Sequence, residues 1–314
     1  ADRGLVEVQT YPFLSDATMQ VMGYTWERAQ AFRLANPMSE DAPLLRTHLI
    51  PGLIEAAQRN MSRGARDFSL FDMGAIFRNN TPLPAIDNPA IDTRPVPEII
   101  DAIYAGVPRQ PIHVAGLLVG RAEREGWHGK GRLYDWSDAV ALAEAVLLTC
   151  NLEWTIVRSD FAPWHPGRCA ELLVGGRAVA HAGELHPRVV AEYGLPARSS
   201  AFVVNLSALP AREIVRASTL GTMPVAVQDI ALIVNASVLA ADVAAALRSG
   251  AGELLESLEL FDRYDQIGEG KVSLAFTLTF RAPDRTLTGA EVSVMREAAV
   301  AAARLAVGAT LRSA

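Results

Sequence analysis

The decamer KVSLAFTLTF, residues 271–280, alternates without a break. Val272, Leu274, Phe276, Leu278 and Phe280 fall on one side of an extended chain, and Lys271, Ser273, Ala275, Thr277 and Thr279 on the other. Such a strand buries one face and leaves the other open, and its neighbours can be read outward from it. Residues 227–234 alternate in the same way, with Ile230, Leu232 and Val234 opposed to Asp229, Ala231 and Ile233. Leu239, Val243 and Leu247 then have helical spacing. A further strand is expected over 254–263, reaching 271 through a turn at 264–270. Thr288-Gly289-Ala290-Glu291 is a capping box, which satisfies two otherwise orphaned amides at the start of a helix. Val292, Met295, Ala299, Ala302 and Leu305 give that helix an apolar stripe, and residues 309–312 suffice for a short closing strand.

The expected order from 222 to 314 is strand-helix-strand-strand-helix-strand, the ferredoxin-like split βαβ arrangement. Both helices of such a domain cover one face of the sheet; the other, small and hydroxyl-bearing, stays open. Phe261, in step with Glu259 and Arg263 by period two, is expected on the open side. An exposed aromatic there suits stacking on an unpaired base; packing under a loop or against a neighbouring domain accounts for it equally well. Bulk charge opposes nucleic acid. Eight basic and eleven acidic side chains leave residues 222–314 at a net −3, whereas RNA-binding modules are ordinarily basic. Contact with RNA would rest on local groups: Phe261, Arg263, Lys271, Ser273, Thr277, Arg281 and Arg285. Most of the affinity would then come from elsewhere in a larger assembly.

With 314 residues the chain exceeds one ordinary core, so two domains are expected: 1–210, a linker at 211–221, and 222–314. Half the residues are apolar and one fifth charged, a globular composition. No run approaches the eighteen apolar residues of a membrane span, and no signal pattern opens the chain. Two cysteines, Cys150 and Cys169, make no disulfide framework and fit a reducing cytoplasm. Two lysines stand against 27 arginines; this matches the residue usage of a GC-rich genome and is not read as nucleic-acid recognition. The chain opens at Ala1 and runs at once into a strand-like segment, so it is expected to be the C-terminal piece of a longer polypeptide.

In the first domain, strands are expected at 6–13, 68–77, 112–120 and 202–205, and a hairpin joins 170–174 to 178–182 across Gly175-Gly176-Arg177. Helices are expected at 49–60, at 137–149 with Ser137 as N-cap, and at 189–193. Residues 79–111 hold 7 of the 18 prolines and read as an exposed, partly extended insertion. The mixture gives an α+β or α/β domain around a mostly antiparallel sheet.

Four residues, His165, Cys169, His181 and His186, could tempt a zinc reading. Their spacing matches no standard module. Turn-stabilising hydrogen bonds for His165 and His186, and an Arg168–Glu184 pair, are the expectation. Arg46 and His48 are read as satisfying loop carbonyls or an interface rather than holding a substrate. The five tryptophans are assigned to core or interface packing.

At this point the residues resemble a known family. Pro224-Val225 with Gln228-Asp229-Ile230-Ala231-Leu232, then Leu260-Phe261-Asp262-Arg263-Tyr264, Ile267-Gly268-Glu269-Gly270-Lys271 and Pro283-Asp284-Arg285-Thr286-Leu287-Thr288 resemble the ferredoxin-like anticodon-binding domain of phenylalanyl-tRNA synthetases. Gly4-Leu5-Val6-Glu7-Val8, Thr10-Tyr11-Pro12-Phe13, Asn36-Pro37-Met38-Ser39, the run 45–53 (LRTHLIPGL) and Leu70-Phe71-Asp72-Met73-Gly74 resemble the bacterial beta subunit. So do His165-Pro166-Gly167-Arg168 and Gly183-Glu184-Leu185-His186-Pro187. The similarity runs through nearly the whole chain, in order.

This resemblance implies an α+β fold in two parts: a class II synthetase-like antiparallel sheet domain that performs no chemistry, then the anticodon-binding domain. Such synthetases hold ATP and the amino acid with an arginine and a nearby acid at the end of a motif strand. Here Phe77-Arg78 runs into Asn79-Asn80, without the acid, and no G-x-G-x-x-R segment follows in 167–210. No catalytic residue and no metal ligand are assigned. The implied partners are an alpha subunit that charges tRNA-Phe with phenylalanine, using ATP and magnesium, and a second beta subunit in an (alpha-beta)2 heterotetramer in the cytoplasm. The segment itself is expected to bind no cofactor. One alternative is a purely structural interface scaffold without RNA contact; another is a free-standing paralogue that binds an amino acid as a regulator.

Overall fold

The computed structural model describes residues 3–79, 83, 89–211 and 221–312. The chain divides into two compact units, 1–215 and 216–314. Of the expected linker at 211–221, all but the two end residues lie outside the described residues.

The elements of the first unit are β1 (Val6–Glu7), β2 (Phe13–Leu14), α1 (Asp16–Met22), β3 (Leu44–Leu45), α2 (Ile50–Ser62), β4 (Phe68–Ala75), α3 (Pro97–Ala105), β5 (Ile112–Val119), β6 (Arg121–Glu123), β7 (Arg132–Leu133), α4 (Trp136–Thr149), β8 (Thr155–Ser159), β9 (Trp164–Val174), β10 (Arg177–Leu185), α5 (Pro187–Glu192) and β11 (Ser200–Asn205). Seven strands form one sheet in the order β1-β4-β5-β11-β10-β9-β8. It is antiparallel apart from the β1–β4 edge.

Both faces of this sheet are covered. Leu117 of β5 packs in a cluster with Leu49, Leu53 and Ile54 of the α2 region, while its neighbour Leu118 packs with Ala139, Ala143 and Leu147 of α4. A strand buried on both sides has no reason to alternate, and residues 200–204 are all buried. The β9–β10 hairpin turns on Gly175 and Gly176, both at positive φ (56° and 77°). This is the geometry that matches strand twist in a two-residue turn, and glycine adopts it without a Cβ penalty.

Several expectations are corrected here. Residues 6–13 do not make one strand: β1 ends at Glu7, and Phe13 pairs separately with Leu45. The proline-rich stretch contains a helix, α3, whose Pro97 occupies the first turn, where its missing N–H costs nothing. The N-cap of α4 is Asp135, not Ser137. Its carboxylate accepts from the Ser137 amide at 2.7 Å, and Asp138 accepts from the Asp135 amide at 2.9 Å. Strand β8 and the small β6–β7 pair have no counterpart in the sequence reading.

The turn histidines behave as expected: Nδ1 of His165 accepts from the Gly167 amide and Nδ1 of His186 from the Arg188 amide, at 3.0 and 3.1 Å. Arg168 donates to both oxygens of Glu184 at 2.9 Å. Cys169 is buried, which pushes its thiol up to about 12. Arg46, itself buried, donates to the carbonyl of Ala75 at 2.8 Å and to the Asp72 carboxylate at 3.3 Å. It ties the chain before α2 to β4.

The second unit runs β12 (Ala226–Asn235), α6 (Ala240–Ala251), β13 (Leu255–Tyr264), β14 (Lys271–Phe280), α7 (Gly289–Val307) and β15 (Thr310–Leu311). Its strand order is β13-β14-β12-β15, antiparallel throughout, the ferredoxin-like topology. All five apolar side chains of β14 are buried, in one core with Val243 and Leu247 of α6 and Val292 and Ala299 of α7. Thr288 caps α7 in a full capping box with Glu291. The stripe on α7 differs from expectation at its end: Ala303 is buried and Leu305 is 88% exposed. A 3.6-residue period carries the buried line from 292 through 299 to 303. Ala302 instead meets α6, where a Cβ on Gly250 would stand 2.6 Å from it.

Candidate nucleic-acid interface

The face of the second unit away from α6 and α7 is built from alternate residues of β12, β14 and β13. Register sets Ile233 opposite Ser273, Ala231 opposite Ala275 and Asp229 opposite Thr277; across the other side of β14, Tyr264 stands opposite Ser273, Asp262 opposite Ala275 and Glu259 opposite Thr277. Between Leu260 and Asp262 the register slips by one residue, and the extra residue is Phe261. A bulge of this kind bends the strand and reverses its parity.

The slip corrects the period-two argument. Phe261 is the unpaired residue of the bulge: counted from Glu259 it falls on the open side, counted back from Tyr264 on the other, and it is 58% exposed. Arg263, however, now stands opposite Leu274, a residue of the buried side. Tyr264 takes the open-face position instead, 41% exposed. Glu259 and Tyr264, five residues apart, thus share the open face, which a regular strand forbids. Arg312 joins them: its amide donates to the Ala231 carbonyl at 2.8 Å and its guanidinium carbon lies 5.5 Å from the Tyr264 ring centroid.

The other expected contact residues divide by what already holds them. Ser273 is 3% exposed, flanked by Ile233 and Tyr264, so it presents nothing at the surface and is withdrawn from the contact set. Thr277 donates its hydroxyl to Asp229 at 2.7 Å. Arg263 pairs with Asp265 at 2.9 Å, and Arg285 with Glu291 at 2.8 Å. Arg281 straps the entering chain to the end of β14. It donates to the carbonyls of Gly221 and Met223 at 2.7 and 3.0 Å and pairs with Glu256 at 3.0 Å. Lys271 is exposed and has no ion-pair partner among the described residues.

The open face thus carries the Tyr264 ring and two cations, Lys271 and Arg312, together with Asp229, Glu259 and Asp262, and the exposed Phe261 ring stands at the bulge of the edge strand. A surface of mixed charge has little to offer a row of phosphates. Ring faces can stack on bases whatever their sequence. Tyr264 escaped the sequence reading because alternation is lost at the bulge.

Among the described residues no helix is long and apolar enough to cross a membrane. A family model described as the phenylalanyl tRNA synthetase beta chain CLM domain matches residues 1–206, and one described as the ferredoxin-fold anticodon binding domain matches residues 221–312. The phenylalanine–tRNA ligase beta subunit of Streptomyces avermitilis is 45% identical over 323 residues, covering 100% of this chain and 39% of its own length. Those of Thermobifida fusca and Nocardia farcinica are 46% and 45% identical, covering 99% and 98% of this chain and 39% and 38% of theirs. The chain therefore spans well under half the length of these relatives.

Proposed function

The chain belongs to the phenylalanyl-tRNA synthetase beta chain family, and from that premise we propose that it is a non-catalytic part of a phenylalanine–tRNA ligase. In this reading the second unit holds the anticodon region of tRNA-Phe on its open sheet face. The first unit scaffolds an alpha subunit, which charges the tRNA with phenylalanine using ATP and magnesium, within an (alpha-beta)2 assembly in the cytoplasm. The domain limits follow: 1–210 for the scaffold, 222–314 for the anticodon binder.

The observation that carries the RNA contact is the bulge at Phe261, which brings Tyr264 onto the open face beside Arg312 and leaves the Phe261 ring exposed three residues before it. Unpaired anticodon bases offer ring faces to such a platform, and stacking needs no strongly basic surface. The net charge of −3 makes this one weak contact among several. Lys271 and Arg312 supply the local positive charge; Arg281 is engaged by the entering chain and Glu256, and Arg263 and Arg285 stand in exposed ion pairs with Asp265 and Glu291.

The test is binding of the 314-residue chain to a tRNA-Phe anticodon stem-loop at low salt, wild type against Phe261→Ala. Weakened binding with the fold intact supports the platform. Undiminished binding sinks it and leaves the scaffold role, which is tested by copurification with a co-expressed alpha subunit.

A further inference from the structure

The first unit contains a cavity of about 670 Å³ that the proposed RNA contact does not use. Its floor is the sheet: His113 of β5 stands opposite Asn205 of β11, and His181 of β10 stands opposite Glu171 of β9. Arg28, His48 and Arg78 contribute to the walls. Arg28 is held in place, its guanidinium carbon 3.5 Å from the centroid of the Phe161 ring and donating to the Ala162 carbonyl at 2.7 Å. Phe161 in turn stacks on His181, 4.7 Å between ring centroids.

Buried polar atoms ordinarily have partners. Here both ring nitrogens of His113, Nε2 of His48 and Oδ1 of Asn205 are buried without a hydrogen-bond partner among the described residues, and all three side chains line this one cavity. His48 and His113 are 2% and 5% exposed. Burial, reinforced by Arg28 and Arg78, pushes all three imidazoles below their ordinary range, His113 and His181 to about 3. At neutral pH each is uncharged, with one donor and one acceptor nitrogen. The fixed charges are two guanidiniums, Arg28 and Arg78, and two carboxylates, Asp160 and Glu171.

We infer that this cavity binds a small organic acid with a hydrogen-bond donor beside its carboxylate, an α-amino or α-hydroxy acid. The carboxylate meets the guanidiniums, and the adjacent amine or hydroxyl donates to Asn205 Oδ1 and an imidazole acceptor. A bare anion would leave the acceptors unmatched and face two carboxylates. An apolar ligand would strand every polar atom in the cavity.

Calorimetric titration of the 314-residue chain with L-leucine, L-lactate, acetate and inorganic phosphate tests this. L-Leucine or L-lactate is expected to bind saturably, about tenfold or more tightly than acetate or phosphate. Asn205→Leu removes an acceptor that has no hydrogen-bond partner among the described residues and should weaken that binding about tenfold or more. If Asn205→Leu does not fold, as read by tryptophan fluorescence, His113→Phe takes its place. No saturable binding up to about 10 mM, phosphate or acetate binding as tightly as the substituted acids, or unchanged affinity in the folded variant would each overturn the inference.

Discussion

Tyr264 and Arg312 meet across a four-stranded sheet, Tyr264 ending one edge strand and Arg312 directly following the opposite one: the guanidinium carbon sits 5.5 Å from the ring centroid. Between the two edges the open face carries Ala231 and Ala275, facing each other in register. Small residues there let the long side chains approach above the sheet. A cation over a ring face is itself attractive, by about 0.5–1 kcal/mol at an exposed site.

Removal of the ring is the most direct probe of that surface. Tyr264→Ala should weaken anticodon stem-loop binding by about 1–3 kcal/mol, the usual range for one stacked base. Tyr264→Phe should retain most of the affinity, because the ring face survives. Fluorescence anisotropy with a labelled stem-loop separates the two variants; equal loss in both would point to the hydroxyl instead.

Acidification should destabilise the first unit. The unfolded chain protonates its histidines below about 6.5, whereas folded His113 and His181 stay neutral down to about 3 because burial disfavours their charged forms. Stability is therefore fully present above pH 6.5 and falls as pH drops toward 3, by up to about 1.4 kcal/mol per pH unit for each histidine. All five tryptophans lie between residues 26 and 164, so urea midpoints followed by tryptophan fluorescence at pH 7, 6 and 5 report this unit alone. His113→Gln should flatten the slope, and a variant as steep as wild type would remove His113 from the account.

At Gly250, α6 packs tightly against α7. A Cβ there would lie 2.6 Å from the Ala298 carbonyl oxygen and from the Ala302 methyl. Gly250→Val should destabilise the second unit by about 1–3 kcal/mol through overpacking, even though valine is the better helix former. The far-UV circular dichroism transition should move while the tryptophan transition stays fixed.

The second unit was the more legible half, and the reason is geometric. A sheet covered on one side imposes alternation on β14 and β12, and the capping box marks where α7 begins. The first unit's sheet is covered on both sides, so β11 reads as a plain apolar run, and the acidic cap of α4 was overshadowed by the serine two residues on. Within the candidate interface, Phe261 was visible and Tyr264 was not. Strand parity can be counted only up to a bulge, and nothing local announces which residue will be extra.

The glycine turn at 175–176 has a consequence in time. The pairing of β9 with β10 closes through two residues, whereas β4 must find β5 across the whole 76–111 stretch and β5 must wait for β11 more than eighty residues later. Hairpins form in about 1–10 μs, and contacts distant in sequence pay their loop-closure entropy first. The hairpin is thus expected to be the template on which the sheet assembles. Pulse-labelled hydrogen exchange should find amides of 164–185 protected before those of β4; the reverse order would place the nucleus around α2. The same two glycines that shape a surface turn would then set the order in which the sheet is built.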